Sequence, residues 1–406
     1  MTMTIAITGV GAVCPAGEGE APFRRAIATG PDLAMTWPKR PVPGLPVDRV
    51  VAIPEAFWQK HGAPDRDRAA ILADVTVGAA LRDAGLSDGL VSRLGCVLAT
   101  TTGGVEAVED GIAGIRRPPG MDEADASILL ASPGIAWGGP TAMLSSACSS
   151  GLSAPALAAA MLADGEADAM VAGGLDVLLE YTLLGFNSLR LVSDDRCRPF
   201  GAGRRGVVLS EGAAAVCLEP LERALARGAR IRAVISGFGL GCDAGHVTAP
   251  AVEGLVRAMA GALEDAGIGP SDIVGILAHG TGTPTNDINE VEALKRLFAE
   301  VLLPPVTSIK AVLGHPQAAA GAFSLLAAVA ALDGDGLPPV AGQDWSIDPA
   351  LGGLDVVTAT SRPLPRPDGR RRRHLLVDAF GFGGNNCVMV VSDPPTGTTG
   401  AVEMER

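Results

Sequence analysis

Short apolar runs rich in β-branched residues alternate along this chain with longer Ala/Leu-rich segments, and near residue 230 the alternation begins again. The pattern predicts strands covered by helices, an α/β fold built as two related halves. Expected strands of the first half are residues 4–10, 95–99, 141–146, 169–172 and 213–218, with helices at 69–84, 151–163 and 221–227. In the second half the expected strands are 232–237, 274–278, 305–308 and 375–378, with helices at 252–266, 289–301 and 318–332. Two short matches in common order support a duplication. IAITGVGAV at 5–13 parallels AVISGFGLG at 233–241, and VLATTTGG at 97–104 parallels ILAHGTGT at 276–283. Each is a strand entering a Gly-rich turn, a shape that any βα unit also produces. The halves divide as 1–228 and 229–406. Segments 31–54 and 362–373, rich in proline and charge, read as surface connections, and the tail after Pro394 as frayed.

Hydrophobic residues make up 48% of the 406 and charged residues 19%. That is below the roughly 25% charged of a typical soluble domain, so much of the chain must be interior. Disorder is excluded. A net charge of −13 disfavours nonspecific attraction to nucleic acid or anionic lipid. The longest apolar stretch, 318–332, falls short of the roughly 20 residues of a membrane span and reads as a buried helix. The first basic residue is Arg24, so the N-terminus lacks the charged region of a secretory signal, and a cytoplasmic protein is expected. Seven cysteines without a C-x-x-C pair argue against a disulfide framework or structural zinc; most are expected in the core.

Four segments carry candidate chemistry. TAMLSSACSSGLSAPALAAAMLA at 141–163 reads as a strand, a turn of small residues and a helix, with Cys148 at the turn. A thiol at a helix N-terminus meets unpaired N–H groups and the positive dipole end, which favour thiolate and make Cys148 a candidate nucleophile rather than core filling. His279 in AHGTGTPTND and His315 in SIKAVLGHPQAAAG each occupy a Gly-rich turn after an apolar strand. A neutral imidazole there can donate to an oxyanion, with Lys310 adding positive potential and Thr281 and Thr283 supplying hydroxyls. Metal binding by the two histidines with Asp287 is the rival, but no H-x-x-x-H or H-x-x-E-H spacing exists. DAFGFGGNNC at 378–387 enters a loop of three glycines that can aim N–H groups at a ligand, or make a tight turn with Phe380 and Phe382 in the core.

ACSSG, AHGTGTPTND, SIKAVLGH and GFGGNN, in this order and spacing, resemble the elongating β-ketoacyl-acyl carrier protein synthases of the thiolase superfamily, including type II polyketide ketosynthases. The resemblance covers nearly the whole chain. It implies two βαβαβαββ halves in a thiolase-like five-layered α/β/α/β/α sandwich, and a decarboxylative Claisen condensation between a carrier-bound acyl chain and a malonyl-type extender. Cys148 would take the acyl chain, with an oxyanion hole from the N–H groups of Cys148 and Phe382. His279 and His315 would stabilise the enolate, supported by Lys310 and Glu290. Thr281, Thr283 and Thr248 would hold the phosphopantetheine arm delivered by an acyl carrier protein, while Gly381, Phe382, Gly383 and the 243–250 loop with Asp243 would gate the site. No permanent cofactor or metal is implied.

The family's partners are its carrier and a second subunit, either another copy of the chain or a chain-length factor, with no nucleic acid. Carrier docking is expected at Arg66, Arg68, Arg204 and Arg205, with Arg370–Arg373 as competitor. Asn385 and Ser149–Ser150 depart from the commoner fatty-acid pattern and favour specialised work. Pro155 is expected to kink the helix after Cys148 or displace its start. Three rivals stand beside this reading: a ketosynthase active only with a chain-length-factor partner, a non-condensing scaffold that binds carrier protein, and a thiolase-like enzyme using free coenzyme A. Retention of Cys148, His279 and His315 argues against the scaffold; the lack of a second catalytic cysteine argues against the thiolase.

Overall fold

The computed structural model describes residues 3–37, 45–62, 66–86, 91–112, 114, 135–340, 346–366 and 372–395. The first half runs β1 (Ile5–Cys14), α1 (Arg68–Ala84), β2 (Leu94–Ala99), α2 (Val105–Ile112), β3 (Thr141–Leu144), α3 (Ser150–Ala163), β4 (Ala169–Asp176) and β5 (Gly212–Pro220). The second runs β6 (Ala233–Cys242), α4 (Val252–Ala266), β7 (Ile273–Leu277), α5 (Pro284–Leu297), β8 (Val306–Thr307), α6 (Ala319–Ala330), β9 (His374–Gly381) and β10 (Asn385–Ser392). Both read βαβαβαββ. Strand order repeats as β3-β2-β4-β5-β1 and β8-β7-β9-β10-β6, three parallel strands followed by two antiparallel ones. The two arrays meet where β1 pairs antiparallel with β6 through Ile5–Ile235, Ala6–Val234 and Ile7–Ala233.

Helices α3 and α6 touch strands of both arrays, whereas α1 covers the first array and α4 the second. The result is a five-layered α/β/α/β/α sandwich. Every residue of α6 is buried, as a helix covered on all sides requires, so its sequence shows no polar face. A Cβ at Gly151 would stand 2.2 Å from the Ala318 carbonyl oxygen, so only glycine lets α3 and α6 approach this closely. Six of the seven cysteines are buried; Cys242 is exposed.

Several elements differ from expectation. Strand β10 begins inside the expected 378–387 loop segment and runs on to Ser392, where no element is predicted. Helix α5 starts at Pro284 rather than 289, with proline in the first turn, where no N–H bond is lost. Helix α3 runs through Pro155 without interruption, starting at Ser150. Segment 31–54 is more than a surface connection: Met35–Thr36 pairs with Arg49–Val51, which pairs with Leu209–Ser210, and Trp37 and Val50 are buried. Arg373 is likewise buried, donating to Asp393 and to the Leu332 carbonyl, while 367–371 and 396–406 lie outside the described residues.

The seam between halves carries an ion-pair network. The Arg232 side chain is 1% exposed and bridges Glu20, Asp83 and Asp333 at 2.5–3.1 Å. Burial alone would raise the Glu20 pKa, but the Arg232 and Arg24 guanidiniums hold it below its ordinary 4.5. A depressed carboxyl stabilises the fold above its unfolded pKa, and that stabilisation fades as pH falls through the folded value. Replacing Arg232 with Met should therefore cost about 3 kcal/mol in chemical denaturation, because Asp83 loses its cation while Glu20 and Asp333 retain Arg24. It should also flatten the loss of stability below pH 4.5.

Candidate active site

Strand β3 delivers the chain into a turn in which Ala147 takes a left-handed φ of 53°, placing Cys148 two residues before α3. Its Sγ lies 3.1 Å from His315 Nε2. A Cβ at Gly381 would fall 2.6 Å from the Ser146 carbonyl and 3.1 Å from Cys148 N, so glycine is what allows the 381–384 loop to close on the nucleophile turn. Burial pushes the Cys148 thiol up to about 12; the Lys310 charge and the Phe382 N–H oppose this, and Asp176 adds to it. Burial thus works against the thiolate that a helix N-terminus favours.

His315 is the imidazole in contact with the thiol. Burial, then the Lys310 charge, hold His315 well below its usual 6.5, so its imidazole is neutral. His279 is depressed for the same reasons and by His315 itself. The two rings stand edge to face with centroids 5.7 Å apart. Lys310, buried, donates to the His279 carbonyl and lies 3.5 Å from His279 Nδ1. Glu290 accepts from the N–H of His279 at 2.6 Å and of Gly280 at 2.8 Å, fixing the turn. Burial raises Glu290 to about 7, with Asp287 adding and Lys310 opposing.

Asp287 is engaged by the backbone of two neighbouring turns. It accepts from Phe200 N at 2.8 Å and Gly282 N at 3.1 Å, so the metal-ligand reading of Asp287 is not met.

Cys148, His279 and His315 line one cavity of about 270 Å³ with Thr248, Thr281, Thr283, Gly381 and Phe382. Phe382 stacks on Phe186 at 5.6 Å, and Gly383 N donates to the Val247 carbonyl at 2.7 Å. Asp243 accepts from Asn386 Nδ2 at 2.6 Å and Ala251 N at 2.7 Å, so the 243–250 and 381–384 loops are tied together at the mouth. Sequence reading missed Phe186 and Leu191 in the lining, while His246 enters it from the expected 243–250 loop. Phe186 belongs to the helix Glu180–Ser188, which no predicted element covered.

The basic docking set does not survive intact. Arg204 is 8% exposed, donating to Asp348 at 2.6 Å and to the Gly201 carbonyl, with Asp287 at 3.8 Å, so it supports the interior rather than a surface. Arg68 is held by Glu106 and Glu211 and lies over the Trp58 ring. Arg66 pairs with Asp74. Arg205 is exposed beside Asp194. Exposed Arg190 adjoins Leu191 of the cavity lining. Of the competing run, Arg370 and Arg371 lie outside the described residues, and Arg372 donates to the Asp393 carbonyl.

Comparison with known proteins shows the family. Residues 2–224 match the β-ketoacyl synthase N-terminal domain family and residues 232–344 its C-terminal domain family. Nodulation protein E of Rhizobium meliloti is 35% identical over 96% of this chain and 99% of its own. The 3-oxoacyl-(acyl-carrier-protein) synthase 2 of Staphylococcus aureus is 32% identical over 95% and 97%. The ishigamide ketosynthase/chain length factor structure superposes with a TM-score of 0.83 at 29% identity, over 97% of this chain and 100% of that one. With the duplicated sandwich and the Cys148–His315–His279 cluster, these matches place the chain in the β-ketoacyl synthase family, as a condensing acyltransferase.

Proposed function

We propose that Cys148 accepts an acyl chain from the phosphopantetheine arm of an acyl carrier protein and that the site then joins it to malonyl-carrier protein with loss of carbon dioxide. The observation that supports this most is the 3.1 Å approach of Cys148 Sγ to His315 Nε2, with the His279 ring beside it. In loading, Sγ bonds the thioester carbon, the carrier's C–S bond breaks, and the thiol proton passes through His315 Nε2 to the departing sulfur. In condensation, the malonyl C–C bond to carboxylate breaks with release of carbon dioxide, His279 and His315 donate to the enolate oxygen, the latter once its ring proton has moved to Nε2, and the enolate carbon bonds the acyl carbon as its bond to Sγ breaks, the thiolate then taking a proton from water. Lys310 and Glu290 orient His279. Thr248, Thr281 and Thr283 lie where the pantetheine arm enters, and Phe382 acts as the gate with the Asp243 loop.

Intact-mass analysis after incubation with a panel of acyl-carrier proteins tests the loading step: a single acyl increment on the wild-type chain is expected, and no increment with any carrier would contradict it. The ishigamide neighbour is a ketosynthase paired with a chain length factor; activity of the purified chain alone, against activity only after copurification with a second subunit, separates homodimer from heterodimer.

Carrier docking is re-assigned to Arg190 and Arg205. A strongly acidic carrier needs local cations on a chain of net charge −13. Charge reversal at both should raise KM for acyl-carrier protein several-fold at low salt, with the defect shrinking toward ~0.5 M salt as the screening length falls well below about 10 Å. Unchanged KM would place docking elsewhere.

A further inference from the structure

Two asparagines, Asn385 and Asn386, directly follow the glycine loop. Within that loop Gly383 and Gly384 both take a left-handed φ of 79°. Consecutive glycines carry the largest entropic cost of ordering, so the turn keeps one shape only where its polar groups are clamped. Four hydrogen bonds supply the clamp. Gly383 N donates to the Val247 carbonyl at 2.7 Å, Asp243 N to the Gly384 carbonyl at 2.9 Å, and Cys242 Sγ to the Gly383 carbonyl at 3.6 Å. The fourth runs from Asn385 Nδ2 to the Phe382 carbonyl at 3.0 Å. This amide cannot be reversed, because its oxygen would then face a carbonyl oxygen.

The four bonds are not equivalent. Three belong to residues 242–247, a segment exposed from Ala244 to Val247, with Val247 itself 71% exposed. Asn385 instead opens β10, where it is paired with Gly381 of β9 on one side and Cys242 of β6 on the other. Its bond to Phe382 lies within the β9–β10 hairpin, so it stays with the glycine loop whatever the 243–250 loop does. What it fixes lies next to the chemistry. The Phe382 N–H faces Cys148 Sγ, and the carbonyl that Asn385 holds belongs to the same residue. Only the φ and ψ of Phe382 separate that carbonyl from that N–H, so holding one restrains the other.

We propose that Asn385 is a positioning residue for the oxyanion hole: through the Phe382 carbonyl it keeps the Phe382 N–H aimed at the substrate oxygen while the 243–250 loop moves to admit the pantetheine arm. When Sγ adds to the thioester carbon, the carbonyl electron pair moves onto oxygen. The Phe382 and Cys148 N–H groups donate to that oxygen until the pair returns and the carrier's C–S bond breaks. A donor already in place costs no reorganisation as the charge develops, whereas a loose one must first be ordered. The inference rests on Cys148 being the acyl-bearing nucleophile, with these two N–H groups as its oxyanion donors.

The test uses the full chain and a panel of acyl-pantetheine thioesters, reading the maximal rate of acylation of Cys148 and the thioester concentration at half that rate. Alkylation of Cys148 by iodoacetamide runs in parallel, because displacement of iodide builds no oxyanion. Asn385→Ala should acylate roughly five- to ten-fold more slowly at saturation, the loss expected for one neutral hydrogen bond, with half-saturation and alkylation as in wild type. Asn385→Asp, of the same shape but without the donor at neutral pH, should match it, and Asn385→Thr, which restores a donor hydroxyl, should recover part of the rate. Unchanged acylation in the alanine and aspartate variants would overturn the proposal. So would a parallel fall in alkylation, which marks damage to the nucleophile, or a defect confined to half-saturation, which marks the gate. Failure of every thioester to acylate wild type would overturn the Cys148 assignment, and this inference with it.

Discussion

Cys148→Ala should abolish acyl loading, with no acyl increment on the protein and no covalent label in any cysteine-containing peptide. The other buried thiols have no comparable arrangement. Cys14, Cys96, Cys197, Cys217 and Cys387 are each raised by burial, and none has an imidazole hydrogen-bonded to its sulfur as Cys148 does. Ser149 cannot substitute, because its hydroxyl is engaged with the Ser146 carbonyl. Loading retained by the alanine variant, or an acyl group mapped to Cys242 or any of the others, would remove the nucleophile from the account.

The histidine variants should separate the two half-reactions. His279→Ala should still load, since its ring does not touch Sγ, but should lose roughly 10²–10³ in condensation as one oxyanion donor disappears. His315→Ala should be impaired in both steps, because the same nitrogen meets the thiol and then the enolate. The two losses need not add. Both imidazoles are held well below 6.5 by burial and by Lys310, so they stay neutral as pH falls through that range. Condensation should therefore show no acid limb near pH 6.5. A limb there, or near-normal condensation by either variant, would contradict the roles assigned.

Much of this was legible in the chain because it is written locally. Cys148, His279 and His315 each sit in a strand-to-turn sequence whose small residues mark the turn, and the two halves betray themselves by the repeated order of apolar runs. What escaped was set by long-range packing. Strand β10 carries a legible apolar run at 387–391, but its start at Asn385 directly after the glycine loop, and its pairing with β6 and β9, are set by distant partners. Helix Glu180–Ser188, which brings Phe186 to Phe382, has little periodicity because the cavity rather than the core claims one side. The misreading of Arg204 has the same origin. A basic pair in a Gly-rich turn looks solvated, and only the fold places Asp287 and Asp348 around one of the two guanidiniums while leaving Arg205 outside. The thiol's ionisation was also beyond sequence, since dipole and desolvation act in opposite directions and only the depth of burial decides between them.

The central claim is that one site carries out both acyl transfer and decarboxylative carbon–carbon bond formation. A single-turnover experiment addresses it directly: the chain is acylated at Cys148, freed of donor, and mixed with malonyl-carrier protein. The acyl mass should leave the protein while carbon dioxide is released and the carrier gains a β-ketoacyl product two carbons longer than the acyl chain. Persistence of the acyl-enzyme, or its loss as free acid without a condensed product, would contradict the account.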